Sequence, residues 1–592
     1  MSQAANRRGE VTARAKLLRP LRGVFDWMLS LRDDQGRIIC PEHQVEHGGK
    51  NAGMIVMALV LARYESQAAR ADLVEVALQQ GMRLVDNLVR EGTSPCFTFR
   101  PGRHDPFNCS NSVIDGGAAS DALGFLVREL EAERSAEELK PFGDASLKHA
   151  RTYLRYAVLD KGIPAQRAWG LTGLASAFRI EDDSVLLEAA LSAVDLLAEI
   201  QHEDGSYPYH PLQWGAAHAG ASDVSAYYQS RVTAFIIHAL TDLGRDPAAR
   251  EFNGQIRSGL DYLAALHGPD GVKVGLVEAK PWYWGATYEV ASHPFDVFAL
   301  AEGWRLFGDE RYSSAAMAAF DSWVAHMEAN GAPSSHHGGH GRGRSYQCPV
   351  FWAGHAMWIA RALPLLEDIA SRSAPRPCAA PLVQYFPQAS LLRLENDELV
   401  AWVRGARPAV NVAHGSPHGA GLIRVVRKAD GMELVARCRL GGHQAAEWSG
   451  KSGLPSPVRG LRAGAKEVRF STWISRVHWR AGRKKEALCA PLKTFKRGVL
   501  AFAHSRVSSA FCLSPTVELI ENGVRLRSSL AWRDGTPVPE SRLLREFLVD
   551  ETGLLVREEL LDSGGARALS YPIPEGADEI HRSATEIRYR LS

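Results

Sequence analysis

From Arg14 to about Ile369, apolar residues recur at three- and four-residue intervals, the spacing of one helical face. Leu73, Val74, Val76 and Ala77 run into Met82, Leu84, Val85 and Leu88 in this way. The predicted helices are of two alternating kinds. One kind keeps a charged face, at about 14–32, 70–91, 143–158, 181–202, 245–267 and 309–329. The other is rich in Ala, Gly, Leu and Met, at about 50–66, 115–131, 168–180, 223–243, 290–307 and 347–370. An amphipathic helix has one wet side, whereas a small-residue apolar helix is buried on most sides. The pairs repeat every 50 to 65 residues or so. Roughly six such pairs predict an (α/α)6 toroid, apolar helices inside and charged helices outside, with an open α-solenoid as the alternative.

After Ile369 the pattern changes. Ser371 to Pro381 is rich in Pro, Ser and Arg and reads as a linker. Beyond it the period is two, as in Glu398–Arg404, Glu518–Arg527 and Glu546–Arg557, with Asn522-Gly523 and Glu551-Thr-Gly553 where hairpin turns belong. The chain therefore reads as an α+β multidomain protein. A catalytic toroid spans 1–370, a linker 371–381 and an antiparallel β-sandwich 382–592.

Composition narrows the function. Lys+Arg is 69 against Asp+Glu 67, so no global field steers nucleic acid or anionic membranes. The basic cluster Lys484-Lys485 and Lys493–Arg497 reads as a solvated face. Met1–Arg19 has no apolar segment of the secretory kind and no run of about 18 apolar residues follows, so a cytoplasmic protein with no membrane span is expected. The eight cysteines are scattered with no Cys-x-x-Cys pair, against a zinc ribbon or disulfide scaffold. His336-His-Gly-Gly-His340 lacks a helix to present it, so neither a metal nor another cofactor is expected.

The long loops lead into the apolar helices, at 33–49, 92–114, 159–168, 203–222, 269–288 and 330–346, so in a toroid they gather on one face. That mouth would hold His47, Asn51, Trp169, Trp214, His218, Trp284, Glu289, His293, His337 and Arg344 as candidate substrate-binding groups. Tryptophan beside polar groups suits sugar rings.

The best-marked stretch is Gln201-His-Glu-Asp204-Gly-Ser-Tyr207, followed by His210 and then a helix carrying Tyr227, Tyr228 and Arg231. The Gln-x-x-Asp-Gly-Ser-aromatic pattern recurs in toroid proteins, including terpene cyclases and polysaccharide enzymes, where it makes a turn plugged by the aromatic. This chain has no Asp-x-Asp-Asp motif of isoprenoid cyclases. The order turn, His, Tyr, Arg resembles lyases of the chondroitin and hyaluronate type, and the toroid-then-β order resembles the heparinase II/III-like lyases. The resemblance implies β-elimination on an acidic, uronate-containing oligosaccharide or polysaccharide, with Asn111, His210, Tyr227 or Tyr228, and Arg231 as catalytic residues. The His-to-Tyr gap is longer here than in that family, and His218 is the rival histidine.

Elimination builds charge on the carboxyl beside the abstracted proton, which Asn, Arg or protonated His must neutralise while Tyr or His takes the proton. A glycoside hydrolase or uronate epimerase on the same scaffold would instead use carboxylates. Asp115 and Asp223, expected as N-caps, and Glu289, four residues before His293 with Asp296 following, are the candidates. A non-catalytic glycan-binding or assembly protein is the reading from another class. His414 and His418 are expected near the cleft if the β part leans on the mouth. The sugar, the linkage and the oligomeric state are left open.

Overall fold

The computed structural model describes residues 2–592 apart from 43, 49, 88–109, 217–221, 275–289, 335–346, 373–381, 408–418, 437–445 and 533–534, and apart from most of 453–505. The helices are α1 (Ser2–Ser30), α2 (Gly53–Ala62), α3 (Gln67–Asn87), α4 (Ser110–Leu130), α5 (Ala136–His149), α6 (Arg155–Asp160) and α7 (Pro164–Ile180). They continue with α8 (Ser184–Glu199), α9 (Ala226–Asp242), α10 (Arg250–Ala265), α11 (His293–Phe307), α12 (Glu310–Ala325) and α13 (Met357–Ala370). A π-helical turn, Ala150–Leu154, joins α5 to α6.

The apolar helices close a ring. α2 packs on α4, α4 on α7, α7 on α9, α9 on α11, α11 on α13, and α13 returns to α2. Each charged helix lies outside its apolar partner, and α1 closes the outer layer against α13. Every residue of α2 is buried, as a helix covered on all sides requires. This is the expected (α/α)6 toroid, and the closing contacts exclude an open solenoid.

One turn recurs where a charged helix hands over to an apolar one. Asp33, Asp204, Asp270 and Asn330 each accept a backbone N–H two residues on, at Gln35, Ser206, Val272 and Ala332. In three of the turns the next residue is a glycine with positive φ: Gly205 (80°), Gly271 (72°) and Gly331 (83°). That region is open to glycine at little cost. A Cβ would also collide with backbone of the next outer helix: Ser258 on α10, Ala318 on α12 and Gly23 on α1 respectively. The turns thus key hairpin to hairpin, and Gly331 against Gly23 locks the last onto the first.

The strand part holds three antiparallel sheets among the described residues. A five-stranded sheet runs β1-β2-β3-β4-β5, with β1 Leu382–Phe386, β2 Leu391–Glu395, β3 Leu399–Arg404, β4 Gly421–Arg427 and β5 Glu433–Ala436. A six-stranded sheet runs β14 (Asp578–Arg582), β15 (Glu586–Leu591), β12 (Gly553–Asp562), β11 (Arg542–Asp550), β9 (Gly523–Ser528), β8 (Thr516–Ile520), and a four-stranded one β10 (Ala531–Trp532), β7 (Arg506–Ser508), β6 (Ser449–Lys451), β13 (Arg567–Ser570). The expected hairpins form at Ile520↔Gly523 and Asp550↔Gly553. Ala401 and Val403 share a core with Val524, Phe547 and Val556 of the six-stranded sheet, the face-to-face packing of a sandwich.

Strand β3 departs from simple alternation, because every one of its residues is buried. Its other face, with Val400 and Trp402, belongs to the core of the ring. Trp402 Nε1 donates to Ala265 O at 2.9 Å, and Arg424, wholly buried, pairs with Asp270 at 2.5 Å and Glu433 at 2.6 Å. Asp204 Oδ2 accepts from the N–H groups of Gln388 and Ala389 at 2.9 and 3.2 Å. The five-stranded sheet therefore leans on the mouth-side turns of the ring.

Candidate functional site at the mouth of the ring

The inner helices run parallel, so their N-terminal ends share one face of the ring. Beneath that face aromatic rings from four inner helices fill the axis. Trp169 (α7) meets Phe235 (α9) at 5.0 Å, Phe295 (α11) at 5.6 Å and His355 at 5.6 Å, just before α13. Trp358 on α13 completes the plug against Phe235 at 4.9 Å. These rings form an aromatic floor across the axis, and Trp169, expected as a binding residue, is part of that floor and 4% exposed.

Arg231 lies on the floor. Its guanidinium sits 3.9 Å from the Tyr227 ring centroid and 4.5 Å from that of Phe295, and Nη1 donates to Tyr227 O at 2.6 Å. It is 4% exposed, and among the described residues no carboxylate pairs with it. Tyr227 is equally buried, whereas Tyr228 is half-buried. Tyr228 stands edge-on to Tyr227, with centroids 5.1 Å apart, and 5.1 Å from Tyr209.

The turn Asp204–Tyr207 is structural, as its pattern implied. Tyr207 is buried with its hydroxyl taking a hydrogen bond from Gln255 at 3.1 Å, and Gln201 and Gln229 both donate to Gly205 O at 3.0 Å. The strand-like pairing of Pro208 with Val224, and Tyr209 N donating to Asp223 O at 2.7 Å, carry the chain back over the start of α9. His210, half-buried, follows Tyr209, so the structure brings the His210 stretch and the tyrosine pair together.

At the rim, the Arg167 guanidinium covers the half-buried Trp214 at 3.6 Å from its centroid. Burial brings Arg167 down to about 10. Trp214 thus presents one face only. Asn51 is buried and turned onto Ile38 O at 3.5 Å, and His47 is wholly buried against Cys348. Asn111 lies in the first turn of α4, with its side chain outside the described residues. His218, Trp284, Glu289, His337 and Arg344 also lie outside them, as do His336, His340, His414 and His418.

His293 is 2% exposed, with Nε2 3.0 Å from Gly271 O. Burial, reinforced by His267 and Lys273, lowers its pKa to about 3. It is neutral at physiological pH, donates through Nε2 and is a weak base. Next to it lies a group that periodicity did not single out. Lys273 and Asp296, both wholly buried, pair at 2.8 Å, and His267 Nε2 lies 3.3 Å from Asp296. Burial raises Asp296, but Lys273 and His267 outweigh it and hold the carboxyl at about 2. Burial draws Lys273 down while Asp296 opposes it. Lys273 lies in the α10–α11 connection and Asp296 in the first turn of α11; the sequence names Asp296 beside His293 but carries no signal for Lys273 as its partner.

Both N-cap assignments are corrected. Asp115 is inside α4, wholly buried, because the helix begins at Ser110. Asp223 precedes α9 by three residues, and Ser225 occupies the cap position.

No family model and no curated protein matches the sequence. Among solved structures, a glycosyl hydrolase of family 88 from Bacteroides vulgatus is similar at 14% identity, covering 61% of this chain and 99% of its own, with a TM-score of 0.41. A cellobiose 2-epimerase from Spirochaeta thermophila is similar at 13% identity, over 61% and 98%, with a TM-score of 0.41. A polysaccharide lyase is similar at 12% identity, over 60% and 97%, with a TM-score of 0.39. No described helix is long and apolar enough to cross a membrane.

Proposed function

We propose that this protein is a carbohydrate-active enzyme that cleaves a uronate-containing oligosaccharide or polysaccharide by β-elimination at the mouth of the ring. The observation that carries the reading is Arg231: a buried cation with no carboxylate partner among the described residues, held against the Tyr227 and Phe295 rings. A buried charge is costly unless something pairs with it, and a substrate carboxylate supplies that partner.

In the reaction, Arg231 neutralises the uronate carboxyl as negative charge builds on it, with Asn111 as the second neutralising group. A base takes the proton from the carbon beside that carboxyl. Its electron pair forms the new carbon–carbon double bond, the neighbouring C–O bond breaks, and the departing oxygen takes a proton. Tyr228 suits the proton transfers better than Tyr227, being half-buried and packed beside Tyr209. Trp214, half-buried at the rim, supplies a face for a sugar ring.

The test is the product. Wild-type protein incubated with uronate glycans is expected to release fragments with the ultraviolet absorbance of an unsaturated uronate, and Tyr228→Phe to release none. New reducing ends without that absorbance would mean hydrolysis, and would transfer the role to Asp115, Asp223 and Glu289. Binding without turnover would support the non-catalytic reading.

A further inference from the structure

We propose that Cys40, His47 and Cys348 hold a zinc ion across the seam where the first and last hairpins of the ring meet. The three are wholly buried, and one donor atom from each lies within 4.8 Å of the others. Cys348 Sγ is 3.8 Å from His47 Nε2. With Zn–S near 2.3 Å and Zn–N near 2.0 Å, the S–N edge of a tetrahedron is about 3.5 Å, so the Cys348–His47 pair is already close to the spacing of a loaded site.

Sequence spacing hides the site, because its ligands come from opposite ends of the ring. Cys40 and His47 lie in the connection from α1 to α2, and Cys348 lies just before α13. Local structure aims them. Cys40 N donates to Val45 O at 3.0 Å and Gln44 N to Cys40 O at 2.8 Å, a tight turn in which Gln44 has φ 56°. Ile39 then pairs with Glu46, which brings His47 back beside Cys40. Across the seam, Gln347 N donates to buried Glu42 at 2.9 Å, which fixes the residue next to Cys348.

The donor set selects the metal. Two thiolates and an imidazole suit zinc rather than the hard cations that favour oxygen. Two thiolates with a neutral imidazole also cancel the charge of Zn2+, so a loaded site is neutral and tolerates its burial. The three donors fill three corners of a tetrahedron. Because the unfolded chain cannot gather ligands about 300 residues apart, bound zinc stabilises the closed ring.

A second buried cluster with metal-ligand types among the described residues, Asp121, His238 and Asp242, is of a different kind. Asp121 pairs with Arg361 at 2.8 Å and with His238 at 3.0 Å, and Asp242 pairs with Arg179 and Arg128. Arginines already supply the positive charge there.

The full-length chain, produced with zinc in the medium, is analysed for bound metal, and a second sample is loaded with cobalt(II). About one zinc per chain is expected, falling at least about tenfold in Cys348→Ala. The cobalt form should show thiolate-to-cobalt charge transfer and the visible bands of tetrahedral cobalt. Cys348→His should keep the metal with weaker charge transfer, which decides the matter even if Cys348→Ala fails to fold. A chain without zinc and without those bands, zinc content unchanged in Cys348→Ala, or a Cys40–Cys348 disulfide in freshly purified protein would each overturn the proposal.

Discussion

A guanidinium that is 4% exposed and lies between two aromatic rings has given up most of its water, and cation–π contact returns only part of that energy. On the proposed reading, a substrate carboxylate supplies the missing partner of Arg231. Arg231→Gln should lower kcat/KM on a uronate substrate by about a hundredfold or more. Arg231→Lys should lose less, because the charge remains while the stacked planar fork is gone. Equal activity in the glutamine variant, with its circular dichroism unchanged, would remove Arg231 from the mechanism. The buried histidines give a second prediction. Burial lowers His149 to about 4, and among the described residues its Nε2 has no hydrogen-bond partner. With His293 at about 3, both groups bind protons more readily unfolded than folded. Their contribution to stability is complete above about pH 6.5 and is lost as pH falls towards the folded values, by about 1.4 kcal/mol per pH unit for each. Denaturant titrations between about pH 6 and pH 4.5 should show that slope, reduced by about one histidine's worth in His149→Gln. A slope that His149→Gln leaves unchanged would contradict the account.

At the scale of elements, the turn glycines separate two costs. Gly308 and Gly331 both have positive φ, 65° and 83°, but only a Cβ at Gly331 meets backbone, at Gly23 and Val24. Gly308→Ala should cost about 1 kcal/mol, the conformational term alone. Gly331→Ala should cost clearly more, since the overlap with α1 must be relieved by moving the seam. Thermal melts of the two variants measure the difference, and equal shifts would mean that the turn does not key α1. Much of this level is legible in the sequence, since alternating charged and small-apolar helices give the ring and its two layers. Helix starts are less legible. Asp115 and Asp223 look like caps, yet α4 begins five residues before Asp115 and α9 three residues after Asp223. Apolar periodicity sets which face is buried but leaves the first turn to local hydrogen bonds. The last inner helix begins at Met357 rather than near 347, because Pro349–Phe351 forms a 3-10 turn and Trp352 breaks from helical geometry, with ψ −77°.

At the scale of the molecule, what the sequence conceals is contact between distant segments. Cys40 and Cys348 meet only because the ring closes, and β3 is apolar on both faces because the ring covers one and the second sheet the other. The same interface makes a prediction. A protease cut within 371–381 should leave the two parts associated through Trp402, Arg424 and Asp204, so that the nicked fragments elute together in gel filtration. Arg424→Ala, which leaves Asp270 and Glu433 without their shared buried cation, should let them separate or lower the melting temperature by several degrees. Fragments that part from the wild-type chain without denaturant would contradict the docking. The central claim, elimination at an aromatic-floored mouth around Arg231, is met most directly by one assay. Wild-type and Arg231→Gln proteins are incubated with a panel of uronate glycans while unsaturated-uronate absorbance and reducing ends are followed together. The account predicts that both signals rise in step for the wild type and stay flat for the variant. Reducing ends that appear without absorbance, or absorbance that the variant produces as fast as the wild type, would contradict it.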